Sequence, residues 1–368
     1  MASSRARGAG RADEPGVGGD VLGASTDEPE ATNGGARRSN RLRALATVAV
    51  LVLALWFLAA NREELRGTGP ALRATAPGWL IAGVVLTLLQ LLNLAGFHAA
   101  SQRAVGLPAR TAPLLGPACA AGFLNIVVKS GGMAGLPALL AEGRRAGKSP
   151  GRVTTAYLLQ VVSGELGFLA VLVGAVLVMI LDGHLSVVDV VGVTAFLVYL
   201  TLRLGVLLAA IGSREATRRA ASAPARWWAR ARHRPAPPAD HHAADEVYDA
   251  MQVLRRRPGA AAPVLAHAVV LELIGVALVW LSLLAAGARV TPGLPLTAYA
   301  VSVLFTIVGV LPGGFGTVEL SMAAVLMAGG MPRGEAAAVV VLYRIFELWL
   351  PLALGALAAH RVRSGSTS

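Results

Sequence analysis

Six uninterrupted apolar runs divide the 368-residue sequence, and each is close to the ~20 residues that a helix needs to cross a bilayer. Between lipid tails every backbone polar group must be satisfied within the protein, which long apolar segments achieve as helices. The pattern therefore predicts an all-α polytopic membrane protein with about six transmembrane crossings. The runs are 45–60, 79–100, 154–180, 187–211, 263–286 and 336–358.

Two further apolar stretches, 113–141 and 296–330, are interrupted by a pair of glycines. The first interruption is "VVKSGGMAGL" (127–136) and the second is "LPGGFGTVEL" (311–320). Glycine permits sharp backbone turns, and proline removes a backbone donor. We therefore predict that each stretch forms two short helices that enter the membrane and turn back, which makes two re-entrant hairpins.

The positive charges indicate the sidedness of these segments. Cytoplasmic flanks are enriched in Lys and Arg. With two hairpins and six crossings, most of these residues fall on one side, in 37–43, 103–110, 144–152, 214–257 and 361–363. The other side holds only a few arginines. These are Arg62, Arg66, Arg73, Arg289 and Arg333. We expect a cell membrane protein with both termini in the cytoplasm.

The segment boundaries predict a domain organisation. Residues 1–44 have few large apolar side chains and are predicted to be a disordered cytoplasmic tail. A transmembrane domain follows over 45–360, with a basic cytoplasmic loop at 212–262, and 361–368 forms a second cytoplasmic tail. The run 45–60 also resembles a late signal peptide. A retained first helix is favoured because the preceding tail is long and further membrane segments follow.

The two interrupted stretches also match one another. A shift of 182 residues superposes Gly131-Gly132 on Gly313-Gly314 and Glu165 on Glu347. In the predicted topology the first hairpin enters from the cytoplasm and the second from outside. Repeats of opposite sidedness with interrupted helices are typical of transporters whose site lies near the midplane. The pattern indicates an inverted repeat.

Charged residues within the apolar segments are the candidate functional residues. An ionised side chain at a helix centre costs about 2.5–3.5 kcal/mol unless it is paired or hydrated, so we expect these residues to face a shared polar interior. They are Lys129, Glu165, Arg203, Glu272, Glu319, Arg344 and Glu347. Arg203 and Glu272 are the weaker candidates for function.

Structural alternatives stand beside each functional hypothesis. Arg344 and Glu347 are three residues apart and share a helix face, so they could bind substrate or form an ion pair that locks the last helix. Lys129 precedes a glycine pair, where backbone donors beside an ammonium suit a phosphate, but an interfacial lysine explains it as well. Glu319 is placed to interact with a helix N-terminus, as an ordinary first-turn residue would be.

Other classes of chemistry have little support in the sequence. The single cysteine, Cys119, allows no intramolecular disulfide, and no Ser/His/Asp or HExxH arrangement appears. We expect no cofactor, no metal and no enzymatic activity. The net charge of +12 is concentrated at membrane flanks, which favours anionic lipid headgroups over nucleic acid as partners.

The segment 311–357 resembles the end of the lysylphosphatidylglycerol synthase transmembrane region, also called the flippase-like family. The matching turn holds Pro312, Gly313, Gly314, Gly316 and Glu319, and the matching pair in the last helix is Tyr343-Arg344. The resemblance spans about 45–358 and is looser in the first half. It implies an integral membrane protein of the lipid-flippase type. We expect the soluble aminoacyltransferase domain of the bifunctional members to be absent.

The sequence as a whole predicts translocation of a phosphate-bearing lipid, either a phospholipid or a polyprenyl-phosphate lipid, between membrane leaflets. A membrane-embedded enzyme acting on lipid-linked sugars or headgroups, and an accessory protein for envelope-synthesis enzymes, remain as alternatives. The residues assigned to substrate binding and translocation lie in the two interruptions and in the helices beside them. They are Lys129, Gly131, Gly132, Glu165, Pro312, Gly313, Gly314, Gly316, Glu319, Tyr343, Arg344 and Glu347.

Overall fold

The computed structural model describes residues 75–183, 187–231, 241–288, 291, 293–308, 312–314 and 316–354. Throughout these ranges the regular structure is helical, which agrees with the predicted all-α class. The expected first crossing at 45–60 and the two expected tails, 1–44 and 361–368, lie outside the described residues.

Eleven α-helices are described in these ranges. In chain order they are α1 (Pro77–Ala104), α2 (Thr111–Val127), α3 (Leu136–Arg145), α4 (Pro150–Leu181), α5 (Val187–Ile211), α6 (Arg214–Ala231), α7 (His241–Arg256), α8 (Ala262–Ala285), α9 (Gly293–Val308), α10 (Thr317–Ala328) and α11 (Arg333–Arg344).

Five segments in the described ranges are long and apolar enough to cross a membrane. They correspond to five of the six predicted crossings. Their bounds are Pro77–Ala104, Pro150–Leu181, Asp189–Ala210, Pro258–Ala285 and Arg333–Leu354. One cluster of buried apolar side chains, among them Leu278, Leu283 and Met322, lies where α8, α9, α10 and α11 pack together. Long apolar helices thus surround a smaller packed interior.

Each interrupted stretch forms two helices that pack against each other, α2 with α3 and α9 with α10. Both breaks need glycine, because Gly131 and Gly132 have φ of 61° and 82° and Gly313 and Gly314 have φ of 63° and 66°. The two pairs differ in one arm. Helix α10 is apolar, whereas α3 ends in "EGRR" and is amphipathic, so it is not an apolar helix like the other three arms.

The two helix pairs lie at opposite ends of α4, whose 32 residues extend for about 48 Å. Gly143 of α3 lies against Val153 in the first turn of α4. Gly293 at the start of α9 lies against Val178, near the last turn of α4. The glycine turns approach each other between these ends. We call residues 128–135 the first apex and residues 309–316 the second apex. Helix α2 packs against the described part of the second apex.

Two amphipathic helices, α6 and α7, lie between α5 and α8, in the segment predicted to be a basic loop. The guanidinium of Arg218 donates to both carboxylate oxygens of Asp245, at 2.8 and 2.6 Å, and joins α6 to α7. This hydrogen-bonded pairing lowers the pKa of Asp245. Glu246 accepts a hydrogen bond of 2.9 Å from the backbone N–H of Gly151 and thereby holds α7 against the start of α4.

The helix of the last span contains a single π-helical turn at Ile345–Trp349, directly after Arg344. Such a turn inserts an extra residue into an α-helix and leaves a carbonyl without its usual partner. The Thr87 hydroxyl of α1 lies 3.0 Å from the carbonyl of Phe346 and donates to it. Helix α1 therefore satisfies a backbone group that the π-helical turn exposes.

The conformation of the second apex predicts a large cost for a side chain at Gly314. In Gly314→Ala the new Cβ would lie 2.7 Å from Val318 Cγ2 while φ is positive, so we expect a loss of at least about 1–2 kcal/mol and a lower Tm in detergent. The matched control is Gly334→Ala in the first turn of α11, where a Cβ meets nothing within 4 Å. Equal Tm losses in the two variants would contradict the assigned apex conformation.

Candidate functional site

Arg344 is the centre of a buried cluster beside the second apex. Its Nε donates to Glu319 Oε1 at 2.6 Å, its Nη1 to Glu347 Oε2 at 3.0 Å and its Nη2 to the carbonyl of Gly313 at 2.8 Å. The arginine side chain is only 5% exposed. A charge this deeply buried among apolar helices must be neutralised by partners, and the two glutamates provide that. We call this cluster the second clasp.

Arg203 forms a corresponding cluster at the first apex. Its Nη1 lies 3.0 Å from Glu165 Oε1, and its Nη2 donates to the carbonyl of Gly131 at 2.8 Å. Tyr199, one turn earlier on α5, accepts a hydrogen bond from Arg203 and donates one of 2.9 Å to Glu165 Oε1. We call this cluster the first clasp. It links α4, α5 and the first apex.

The two clasps share a design at positions that the sequence shift relates. In each, an arginine Nη2 donates to the carbonyl of the first glycine of a pair, Gly131 or Gly313. Each arginine also pairs with one of the two related glutamates, Glu165 or Glu347. The arginines themselves are not related by the shift, because Arg203 comes from the helix after α4 whereas Arg344 precedes Glu347 on the same helix.

Further hydrogen bonds fix the first apex to α4. The hydroxyl of Tyr157 donates to the carbonyl of Gly132 at 2.6 Å and accepts from Asn125 Nδ2 at 2.9 Å. The Asn125 Oδ1 in turn accepts from the N–H of Gly135 at 2.8 Å. These hydrogen bonds satisfy backbone groups of Gly132 and Gly135 and so fix the conformation of the turn.

Lys129 connects the first apex to helix α9. Its ammonium donates to the carbonyl of Thr306 in the last full turn of α9. The lysine is exposed, unlike the two clasp arginines, and it forms no ion pair within the described ranges. A carbonyl is a neutral acceptor, so an anionic group could replace it with a gain in electrostatic energy.

The structure brings most of the predicted site residues into three groups. The second clasp brings together Glu319, Arg344, Glu347 and Gly313. The first clasp contains Glu165 and Gly131, and Lys129 of the first apex contacts α9. The remaining predicted residues lie around these groups. Gly132 and Gly314 form the turns, Gly316 precedes α10, Pro312 begins the 3₁₀ turn Pro312–Gly314, and Tyr343 is buried in the last turn of α11.

Sequence reasoning undervalued Arg203 and missed Tyr199. The two residues are four apart on α5, which places both on one helical face, and this spacing was the available signal. Nothing in the sequence shows that this face meets Gly131, which lies 72 residues away along the chain. Glu272, the other weaker candidate, accepts a hydrogen bond from Tyr299 and belongs to neither clasp.

Each clasp has one buried carboxylate oxygen with no hydrogen-bond partner among the described residues. These atoms are Glu165 Oε2 and Glu319 Oε2. An unsatisfied acceptor in an apolar interior is costly, so either oxygen can take a donor from water or from a bound ligand. Within the described ranges, no group of three or more His, Cys, Asp or Glu side chains is arranged to hold a metal ion.

Comparison with known proteins places the chain in a family. No curated protein is similar enough to the chain to be counted as a relative. A family model described as the lysylphosphatidylglycerol synthase TM region matches residues 44–355, which include both apices and both clasps. The resemblance noted in the sequence is therefore confirmed. This protein is a multi-pass membrane protein that belongs to the family of the lysylphosphatidylglycerol synthase TM region.

Proposed function

We propose that this protein moves a phosphate-bearing lipid between the leaflets of the cell membrane. The observation that carries this proposal is that two glycine-rich turns lie beside ionic clusters in helix pairs based at opposite ends of α4, and that Lys129 of the first apex bonds to the carbonyl of Thr306 in α9. A polar path through the bilayer needs charged and backbone groups near its middle. Interrupted helices supply such groups without exposing them to lipid.

In this proposal the helix pairs are re-entrant hairpins of opposite sidedness, and the two halves form an inverted repeat. The first hairpin opens to the cytoplasm and the second to the outside, with both termini in the cytoplasm. The shared arrangement of the clasps at Gly131 and Gly313 supports this relationship. Movement of one hairpin against the other would then expose the polar path alternately to the two leaflets.

Lys129 is the proposed phosphate contact. It is an exposed ammonium whose partner among the described residues is the carbonyl of Thr306. Exchange of that carbonyl for a lipid phosphate forms a charge-assisted hydrogen bond and releases the contact between the first apex and α9. The headgroup would therefore both bind at this position and loosen the contact that separates the two sides.

The clasps have a positioning role in this mechanism. Arg344 uses Nε, Nη1 and Nη2 on protein acceptors, so it attracts the phosphate through its field while it holds Gly313 in place. Glu319 and Glu347 keep that guanidinium charged and oriented. Glu165 does the same for Arg203 at the first apex. The spare oxygens of Glu165 and Glu319 give polar headgroup atoms an acceptor along the path.

The lipid-transfer proposal predicts a defect on loss of Lys129. In proteoliposomes that contain labelled phospholipid or labelled polyprenyl-phosphate lipid, Lys129→Gln should slow transfer between leaflets at least about tenfold, because the charged contact to phosphate is lost. The matched control is Lys148→Gln, which removes the ammonium bound to Gln102 at the base of the first helix pair. If wild-type protein moves neither lipid faster than empty vesicles, the proposed function is wrong.

The second clasp gives a separate prediction. Arg344→Ala leaves two buried carboxylates without their cation, which costs about 3–5 kcal/mol of stability. Arg344→Lys retains the charge but cannot reach Glu319, Glu347 and the Gly313 carbonyl together, so a folded Arg344→Lys and Glu319→Gln should both transfer lipid more slowly. Wild-type transfer rates in both folded variants would contradict the positioning role.

The sidedness of the helix pairs can be tested by cysteine labelling. In a Cys119→Ala background, Ala146→Cys lies in the turn before α4 and Gly334→Cys in the first turn of α11, and both positions are exposed. A membrane-impermeant maleimide should label Ala146→Cys from the cytoplasmic face and Gly334→Cys from the outer face. Labelling of both positions from the same face would contradict the inverted topology.

A further inference from the structure

Glu272 is a buried acid that the proposed lipid path does not use. It lies near the middle of α8, is the only acidic residue of that helix and is 9% exposed. Its Oε2 accepts a hydrogen bond of 2.8 Å from the hydroxyl of Tyr299 on α9. A neutral phenol is a hydrogen-bond donor but brings no compensating charge.

The other buried acids of the interior are neutralised differently. Glu165 pairs with Arg203, and both Glu319 and Glu347 pair with Arg344. Within the described ranges, Glu272 forms no salt bridge. Each clasp carboxylate thus has an arginine as its partner, whereas the partner of Glu272 is the phenol of Tyr299.

The described helices near the second clasp bring no unpaired cation to Glu272. Helix α8 packs against α9, α11 and the π-helical turn on this side. Their titratable groups that act on Glu272, directly or through Tyr299, are Tyr299, Tyr343 and Glu347. Two of these groups are phenols and the third is an acid already paired with Arg344. This side therefore adds no free cation.

Helices α1 and α4 cover the other side of α8, together with the uncharged turn Pro258–Ala261. On α1, His98 lies against Tyr157 and Gln160 of α4, and Arg103 donates to a backbone carbonyl near the end of its helix. Glu165 of α4 is held by Arg203. Helix α8 contacts α4 at Ala268, which packs on Gly167. Arg152 lies in the first turn of α4, 15 residues before Gly167, and is therefore far from this contact.

On α8 itself the only other titratable side chain is His267, which hydrogen-bonds Asn93 of α1 through Nδ1 at 2.7 Å. It lies five residues before Glu272 and so more than one turn away. The environment of Glu272 within the described ranges thus holds phenols, paired acids and histidines engaged by amides. A carboxyl group in such surroundings is stable when it carries a proton.

From this geometry we propose that Glu272 is a proton-binding site and that its protonation controls how closely α9 of the second helix pair packs against α8. Tyr299 lies on α9, two turns before Thr306, the residue whose carbonyl accepts from Lys129. Protonated Glu272 tolerates close packing of α8 against α9. When the carboxylic acid releases its proton to water, the remaining carboxylate needs hydration or a cation, and α9 must move to admit either.

This inference rests on the proposed lipid transfer for its consequence, because a proton taken up on one side and released on the other couples that transfer to a proton gradient. No covalent bond other than the O–H bond of the acid is made or broken. The proton goes to water, and the chain returns to its starting state once another proton is bound. The chemical class of the ligand at this site is therefore a proton.

Infrared difference spectroscopy tests the proton site without any transport measurement. At neutral pH, wild-type protein should show the C=O band of a protonated carboxyl group that Glu272→Gln lacks, while Glu335→Gln at the exposed start of α11 should keep it. Tyr299→Phe should shift the band because one hydrogen bond to the carboxyl group is lost. If wild type and Glu272→Gln have the same carboxyl bands, Glu272 is ionised and the proposal is overturned.

Transport under a pH gradient tests the coupling. In proteoliposomes, a gradient of about one pH unit, a tenfold proton ratio, should raise the wild-type rate of lipid transfer several-fold over the rate without a gradient. For Glu272→Gln the ratio of the two rates should be one, and for Glu335→Gln it should match wild type. An equal response of Glu272→Gln and wild type to the gradient would overturn the coupling.

The two experiments separate this inference from the proposed function. A Glu272-dependent carboxyl band in a protein that moves no lipid would contradict lipid transfer and support the proton site. Lipid transfer without a Glu272-dependent band would support transfer and overturn the proton site.

Discussion

A guanidinium group buried in an apolar helix bundle depends on its acceptors, and in this protein those acceptors belong to different parts of the chain. Arg344 is held by Glu319 of α10, Glu347 of the π-helical turn and the carbonyl of Gly313 at the second apex. Removing any of the three leaves a guanidinium N–H group without its acceptor in a medium that does not solvate it. The position of the second helix pair is therefore tied to the charge balance around one side chain.

The same constraint acts at the first apex through Arg203, and it explains why glycine is required at both sites. A carbonyl can point toward a guanidinium only if the backbone turns there, and Gly131 and Gly313 both have positive φ. The two clasps differ in their surroundings. Arg203 and its partner Glu165 are 21% and 12% exposed, whereas Arg344 is 5% exposed. Glu347 of the second clasp is 32% exposed, so water reaches the first clasp beside Arg203 and the second clasp beside Glu347.

Hydropathy and glycine placement were sufficient to predict much of the fold. A membrane span is a property of one continuous segment, so the five described spans follow from composition, and the breaks at Gly131-Gly132 and Gly313-Gly314 follow from residue type. The helices α6 and α7 were not predicted because their arginines suggested a loop, although Arg218 is paired with Asp245. The Arg203–Gly131 contact could not be predicted from the sequence, because its acceptor is a backbone carbonyl, which every residue has.

The π-helical turn at Ile345–Trp349 changes how helical periodicity must be counted in the last span. The N–H of Leu350 bonds to the carbonyl of Ile345, five residues back, so the spiral gains a residue relative to regular geometry. The helical periodicity of the side chains before this turn is therefore shifted by about 100° from that of the side chains after it. A single-residue deletion within this turn would restore an ordinary α-helix and leave the side chains on either side of it in place. Anywhere else in the span the same deletion would rotate the following side chains by about 100°.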